Sequence, residues 1–163
     1  MKSITLLVTA TLLALGLSAQ AESTLTLNGI HNCCKGCENG ITKAITKVDG
    51  TTAAVTKTSV TITAKSKSDL DKAVDSLLDA GYYGEGATVK AVADKQVKTA
   101  TVSNTHLCCG KCVKGVDEAI KAVKGATKHN ATKGEDSFTV EGDFNLKELQ
   151  TALNKAGYNG KIE

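Results

Sequence analysis

The sequence predicts an α+β fold made of two copies of one small unit. Three observations lead to this prediction. Apolar residues recur at helical spacing in four segments, the segments between them alternate polar and apolar residues as strands do, and a cysteine-rich heptapeptide occurs twice at an offset of 75 residues. The heptapeptides are H-N-C-C-K-G-C at 31–37 and H-L-C-C-G-K-C at 106–112, and they hold all six cysteines of the 163-residue chain. Each copy is predicted to run β-α-β-β-α-β, the ferredoxin-like order, as a sandwich of an antiparallel sheet with two helices on one face.

Residues 1–21 are predicted to be a secretory signal peptide. Lys2 gives a cationic start, residues 4–17 are almost wholly apolar or small, and Ala19-Gln20-Ala21 is a small-x-small cleavage signature. The apolar run is shorter than the roughly 20 residues that a membrane-spanning helix needs. We therefore expect a periplasmic or secreted product, with no membrane insertion after cleavage.

The first unit is predicted to span residues 22–92. Its expected elements are a strand at 24–27, a helix from about Cys37 to Val48, a hairpin of 51–56 and 60–64, a helix at 70–78 and a last strand near 87–92. Asp69 is the expected cap of the second helix, and Gly81 lies where that helix should end.

The second unit repeats this order over residues 98–163. Its expected elements are strands at 98–102, 126–131 and 137–140 and helices at 113–123 and 146–156. The linker at 93–97 is short and contains neither proline nor glycine, so we expect the two units to lie close together.

Composition argues against several classes of function. The formal net charge is only +3, all 20 basic residues are lysines, and the aromatic residues are three Tyr and two Phe. Nucleic-acid recognition usually uses arginine and stacked aromatic side chains, so no nucleic-acid partner is expected. The sequence contains no phosphate-binding loop, no paired carboxylates and no nucleophile with a base, so no enzymatic activity is expected either.

The cysteines are predicted to lie between the first strand and first helix of each unit. Cys37 and Cys112 fall in the first helical turn, where unpaired N–H groups and the helix dipole favour thiolate. Two such sulfurs separated by two residues can converge on one ion, and Cys33 and Cys108 could add a third sulfur from the same loop. Sites made only of sulfur select soft ions, with Cu(I) favoured and Zn(II) or Hg(II) as alternatives.

Other interpretations of the heptapeptides stay open. Six cysteines in an exported chain can form a disulfide framework, but bridges inside such short loops would close almost no chain. The stronger alternative is a thiol-disulfide redox protein, because C-x-x-C at a helix start is also the thioredoxin arrangement. His31 and His106, which precede the cysteines, would suit zinc as ligands, but we favour a supporting hydrogen-bonding role outside the ligand set.

The order of elements, the C-x-x-C position and an A-G-Y sequence after the second helix together resemble the heavy-metal-associated domain family, in two tandem copies. That family includes copper chaperones, domains of metal-pumping ATPases and the periplasmic mercury-binding protein. The resemblance implies metal ligands at Cys34, Cys37, Cys109 and Cys112. It also implies that Tyr82 and Tyr158 pack against the metal loops.

The chain departs from the family pattern M-x-C-x-x-C at two positions in each copy. Asn32 and Leu107 replace the methionine that anchors the loop, and only Leu107 can fill a core at low cost. Cys33 and Cys108 raise the sulfur count to three per loop, which would suit trigonal coordination or ions bridging the two loops. We expect a protein that captures a soft metal ion and then sequesters it or passes it to a metal transporter or another metal carrier.

Overall fold

The structure is a computed structural model that describes residues 22–163. The described chain forms, in order, β1 (Ser23–Asn28), α1 (Lys35–Ile45), β2 (Thr51–Val55), β3 (Ser59–Ala64), α2 (Lys67–Asp79), β4 (Gln96–Ser103), α3 (Gly110–Lys121), β5 (Ala126–His129), β6 (Phe138–Asn145), α4 (Leu146–Lys155) and β7 (Lys161–Ile162). The predicted α+β class is confirmed. The predicted signal peptide lies outside the described residues.

The strands form two antiparallel sheets, one from each half of the chain. In the N-terminal half (residues 22–95) the order is β1-β3-β2, and in the C-terminal half (residues 96–163) it is β5-β6-β4-β7. Helices α1 and α2 pack together against the first sheet, and α3 and α4 pack together against the second. The C-terminal half therefore has the complete β-α-β-β-α-β order, whereas the N-terminal half ends after its second helix.

The prediction of a strand near 87–92 is wrong, because the described chain has no strand between α2 and β4. After α2 the chain makes a single bridge to β1, in which Asn28 and Glu85 exchange backbone hydrogen bonds. It then turns toward α4, where the Gln150 side chain accepts from the Val92 N–H at 3.1 Å and donates to the Lys90 carbonyl at 2.9 Å. The segment forms no further ladder with β1 because its backbone groups bond to a side chain of the other half.

The cap predicted for α2 is also wrong by three residues. Ser66 is the N-cap, and its hydroxyl accepts a hydrogen bond from the Asp69 N–H at 3.1 Å. The Asp69 carboxylate accepts from the same hydroxyl at 2.7 Å. This reciprocal pairing satisfies one of the free N–H groups at the start of the helix and places a negative charge in its first turn.

Each sheet packs its apolar face against its two helices. The alternation of β3 buries Val60, Ile62 and Ala64, and β6 buries Phe138, Val140 and Phe144 in the same way. The first helix of each half contributes a cysteine to its core, since Cys37 and Cys112 are both fully buried. The sulfurs of these two residues are therefore held by the packed core and not by a mobile loop.

Among residues 22–163, no helix combines the length and the apolar character needed to cross a bilayer.

Candidate metal centre

The two halves meet at the ends of their sheets through paired backbone hydrogen bonds. The Tyr83 N–H donates to the Gly157 carbonyl, and the Asn159 N–H donates to the Gly81 carbonyl, each at 3.0 Å. Tyr82 and Tyr158 form an isolated antiparallel bridge between these bonds. Equivalent residues of the two A-G-Y segments thus exchange bonds, which gives the interface an approximate twofold symmetry.

This interface brings the two cysteine loops face to face. The first cysteine loop (residues 31–37) leads from β1 into α1, and the second (residues 106–112) leads from β4 into α3. Cys34 and Cys109 are the extended N-cap residues of the two helices. The sequence predicts the position of each loop in its half, but the meeting of the loops is visible only in the structure.

The six cysteines, all of them free thiols, form one cluster. Within each C-x-x-C pair, the sulfurs of Cys34 and Cys37 are 3.6 Å apart, and those of Cys109 and Cys112 are 3.5 Å apart. Contacts between the loops are as short, as the Cys33–Cys109 separation of 3.4 Å shows. The predicted ligands of both loops therefore lie together with Cys33 and Cys108 in a single sulfur-rich centre.

The two histidines lie against this cluster. Nε2 of His106 is 3.4 Å from the sulfurs of both Cys37 and Cys112. The two imidazoles stack on tyrosines of the opposite half, His106 on Tyr82 at 4.0 Å between ring centres and His31 on Tyr158 at 4.6 Å. Nε2 of His31 is buried without a hydrogen-bond partner in the described chain. His106 thus hydrogen-bonds to a thiol of each loop, and both rings are also placed where they could act as additional nitrogen ligands.

Two buried tyrosine hydroxyls hydrogen-bond to the backbone of the cysteine loops. The Tyr158 hydroxyl donates to the Cys112 carbonyl at 3.0 Å, and the Tyr82 hydroxyl donates to the Cys37 carbonyl at 3.3 Å. Both tyrosines are buried. The hydroxyls thus fix the first turn of α1 and of α3, where the innermost sulfurs lie.

Tyr158→Phe is expected to lower the free energy of unfolding by about 1–2 kcal/mol, because the Cys112 carbonyl loses its buried donor. Chemical denaturation of the reduced protein measures this change. Tyr83→Phe is the matched control, since the half-buried Tyr83 side chain makes no hydrogen bond within the described residues. Equal losses in the two variants would contradict the supporting role of the Tyr158 hydroxyl.

The two loops are anchored differently, as Asn32 and Leu107 predict. Leu107 is 2% exposed and fills the core of its half. The Asn32 amide instead donates to the Thr56 carbonyl at 2.8 Å, and Ile30, which directly precedes the loop, is buried. A polar side chain is therefore tolerated in the first loop because it bonds to the β2–β3 turn.

The thiols differ in acidity. Burial raises the pKa of Cys33, Cys108 and Cys112, that of Cys108 to about 12. Burial also opposes ionisation of Cys109, but hydrogen bonds from the Cys112 backbone and the Cys33 thiol outweigh it, and the pKa of Cys109 falls to about 6. The expected preference of the helix start for thiolate is thus overridden by burial at Cys112, whereas at Cys37 hydrogen bonds outweigh burial and lower the pKa.

Burial favours the neutral form of both imidazoles. Burial lowers the pKa of His106 to about 4, with a further contribution from the nearby His31, whose own pKa burial also lowers. Neutral imidazole is the form that binds metals. The centre therefore offers soft sulfur and borderline nitrogen donors and no carboxylate.

The spacing of the donors suits a soft ion. The Cys34 and Cys37 sulfurs are 3.6 Å apart. The centre of a triangle of three sulfurs with edges of this length lies about 2.1 Å from each sulfur, which is near the ~2.3 Å of a zinc–thiolate bond. Small outward movements of the side chains would complete the fit. Three overlapping groups, two with a histidine and one of cysteines alone, have all their donor atoms within 4.8 Å of one another. The donor set and its geometry both support binding of a soft metal ion.

No protein-family model matches this sequence, and no curated protein matches it. Among solved structures, the chain is similar to the solution structure of the N-terminal soluble domains of Bacillus subtilis CopA, with 15% identity and a TM-score of 0.32. The similarity covers 88% of this chain and 95% of that one. Because this TM-score is low, function rests on the cysteine cluster itself.

Proposed function

We propose that this protein is an exported, non-enzymatic binding protein for soft metal ions, with Cu(I) favoured over Zn(II) and Hg(II). One observation supports it above all: six free thiols and two neutral imidazoles converge at one centre. Sulfur-rich sites of this kind select soft ions over hard ones. The export rests on the N-terminal sequence of residues 1–21.

The bound ion is the cargo of this protein. Cys108 is exposed and Cys33, Cys34 and Cys109 are half-buried, so the outer sulfurs can receive an ion from a donor molecule. Cys37 and Cys112 are buried and would hold the ion from within. This gradient of exposure suits capture followed by sequestration, or by ligand exchange with a metal transporter or another metal carrier.

The test is a titration of the reduced protein with Cu(I) under anaerobic conditions, with bound metal counted by mass spectrometry. We expect about two ions per chain, one for each cysteine loop. Replacing Cys34 and Cys37 by serine should halve this number, because only one C-x-x-C pair remains. Unchanged binding in the double variant would refute the proposal, and Mg²⁺ serves as the hard-ion control that should not bind.

Thiol-disulfide exchange is the second candidate, and one observation favours it. The pKa of Cys109 is lowered to about 6, and its sulfur is 3.5 Å from that of Cys112. A low-pKa thiolate beside a second thiol is the arrangement of redox-active pairs. Protein isolated without metal, with exchangeable Cys34–Cys37 and Cys109–Cys112 disulfides, would favour this function over metal binding.

A further inference from the structure

The leading cysteine of each loop lies against the C-x-x-C pair of the opposite loop. Cys33 is 3.4 Å from Cys109 and 3.7 Å from Cys112, sulfur to sulfur. In the symmetric position, Cys108 is 3.5 Å from Cys37 and 3.9 Å from Cys34. The extra cysteines thus bridge the interface between the two halves.

These contacts close two separate triangles of sulfur atoms. The first joins Cys34 and Cys37 to Cys108, with edges of 3.6, 3.5 and 3.9 Å. The second joins Cys109 and Cys112 to Cys33, with edges of 3.5, 3.4 and 3.7 Å. The two triangles share no atom and together use all six thiols.

Within one loop of the described chain, only two of the three pairs of sulfurs form a thiol–thiol contact. Cys33 does contact Cys37 of its own loop at 3.6 Å, and Cys108 contacts Cys112 at 3.6 Å. Among the described thiols, however, neither consecutive pair, Cys33–Cys34 or Cys108–Cys109, forms a thiol–thiol hydrogen bond, although all four are within reach of other thiols. The Cys33 and Cys34 sulfurs nevertheless lie within 4.8 Å of each other, so the preference for the opposite loop rests on the shorter contacts across the interface.

We propose that each loop supplies the third sulfur of the opposite metal site. Cys108 completes a three-thiolate site with Cys34 and Cys37, and Cys33 completes one with Cys109 and Cys112. This inference rests on the proposed soft-metal function and adds to it the ligand set of each ion. The sulfurs of Cys37 and Cys112, 3.8 Å apart, place the two sites side by side, and Nε2 of His106 lies 3.4 Å from both.

The exchange of ligands has a structural consequence. Each bound ion would be held by residues of both halves, so metal binding would fasten the C-terminal half to the N-terminal half.

The test isolates one site at a time in the full chain. With Cys109 and Cys112 replaced by serine, the remaining site contains Cys34 and Cys37 and either Cys108 or Cys33. Adding Cys108→Ser should reduce the Cu(I) coordination from three sulfurs to two, as counted by X-ray absorption, whereas adding Cys33→Ser should leave three. Cd(II) affinity should fall by about tenfold or more only in the Cys108→Ser variant, a loss typical of damage to a metal site.

The reciprocal background, with Cys34 and Cys37 replaced, should reverse the roles of Cys33 and Cys108. Three sulfurs that depend on the extra cysteine of the same loop, or two sulfurs in every variant, would overturn the exchange while leaving soft-metal binding intact. Failure of the parent chain to bind Cu(I) would instead refute the proposed function.

A cross-linking measurement covers variants that fold poorly. In a chain that retains only Cys33 and Cys109, a short thiol-reactive cross-linker should join the two residues, as identified by peptide mass spectrometry. The same chain unfolded in urea is the control and should cross-link less efficiently. Equal or reversed yields would contradict the proposed pairing.

Discussion

Loading the reduced protein with Cu(I) is expected to raise its thermal unfolding midpoint by about 20 °C. An ion bound only by the folded state adds ~4 kcal/mol when free metal is ~1,000 times the dissociation constant, so two sites add ~8 kcal/mol. For a chain of this size each kcal/mol raises the midpoint by roughly 2–4 °C. Calorimetry of the apo and Cu(I)-loaded forms, with free Cu(I) held by a competing ligand, measures the difference.

The control for this experiment is the double variant Cys37→Ser and Cys112→Ser. These two thiols are fully buried and belong to different C-x-x-C pairs, so their loss weakens both sites. We expect the metal-dependent shift to fall to a few degrees in this variant. A shift that persists at full size would mean that the ions bind elsewhere, and the midpoint of the apo variant separates this effect from simple loss of core packing.

The sequence is informative about each half because its elements have local signatures. The alternation of Val60 and Ile62 predicts a strand that the structure confirms, and the spacing of Ile41, Ala44 and Ile45 predicts the buried face of α1. The cysteines also fall at the predicted junction of strand and helix. These features depend on periodicities of two and of 3.6 residues, which can be read without knowledge of the partner surface.

One error arises from contacts between the halves, whereas the misplaced cap of α2 arises within the first half. Residues 87–92 carry an alternating pattern, yet Gln150 of α4 binds their backbone groups and removes them from the first sheet. The histidines lie three residues before each C-x-x-C in the sequence, and they stack on tyrosines of the other half, a contact that the sequence does not reveal. Periodicity contains no information on how two similar units pack together.

Joint formation of the metal centre could not be predicted for the same reason. From the sequence, Cys33 and Cys108 are third sulfurs of their own loops or links between loops. In the structure Cys33 lies 3.4 Å from Cys109 and Cys108 lies 3.5 Å from Cys37, both slightly shorter than the own-loop contacts of 3.6 Å. The glycines of the repeated A-G-Y segment, Gly81 and Gly157, were the available signal for the interface, but their role depends on a surface that the other copy provides.

Gly157→Ala is expected to destabilise the protein by roughly 3 kcal/mol or more and to separate the two cysteine loops. Gly157 has a φ of +85°, which costs about 1–2 kcal/mol for a residue with a side chain. A Cβ at this position would also lie 2.4 Å from the His31 nitrogen and 2.6 Å from the Gly29 oxygen. Both are backbone atoms that cannot move aside alone, and this overlap adds about 1–3 kcal/mol.

Gly134→Ala separates the two contributions. Gly134 has a φ of +91°, but a Cβ there would have no neighbour within 4 Å among the described residues, so only the backbone cost of about 1–2 kcal/mol is expected. The same comparison applies to Gly81, whose Cβ would lie 2.4 Å from the His106 nitrogen.

Urea denaturation measures stability, and cross-linking of Cys33 to Cys109 reports whether the loops still meet. Gly157→Ala and Gly134→Ala could lower the free energy of unfolding equally and both keep the cross-link. In that case, close packing of the A-G-Y segment against the opposite loop would not be required for the metal centre to form. A larger loss confined to Gly157→Ala and Gly81→Ala, with loss of the cross-link, would show that the two halves must remain in contact for the six sulfurs to converge.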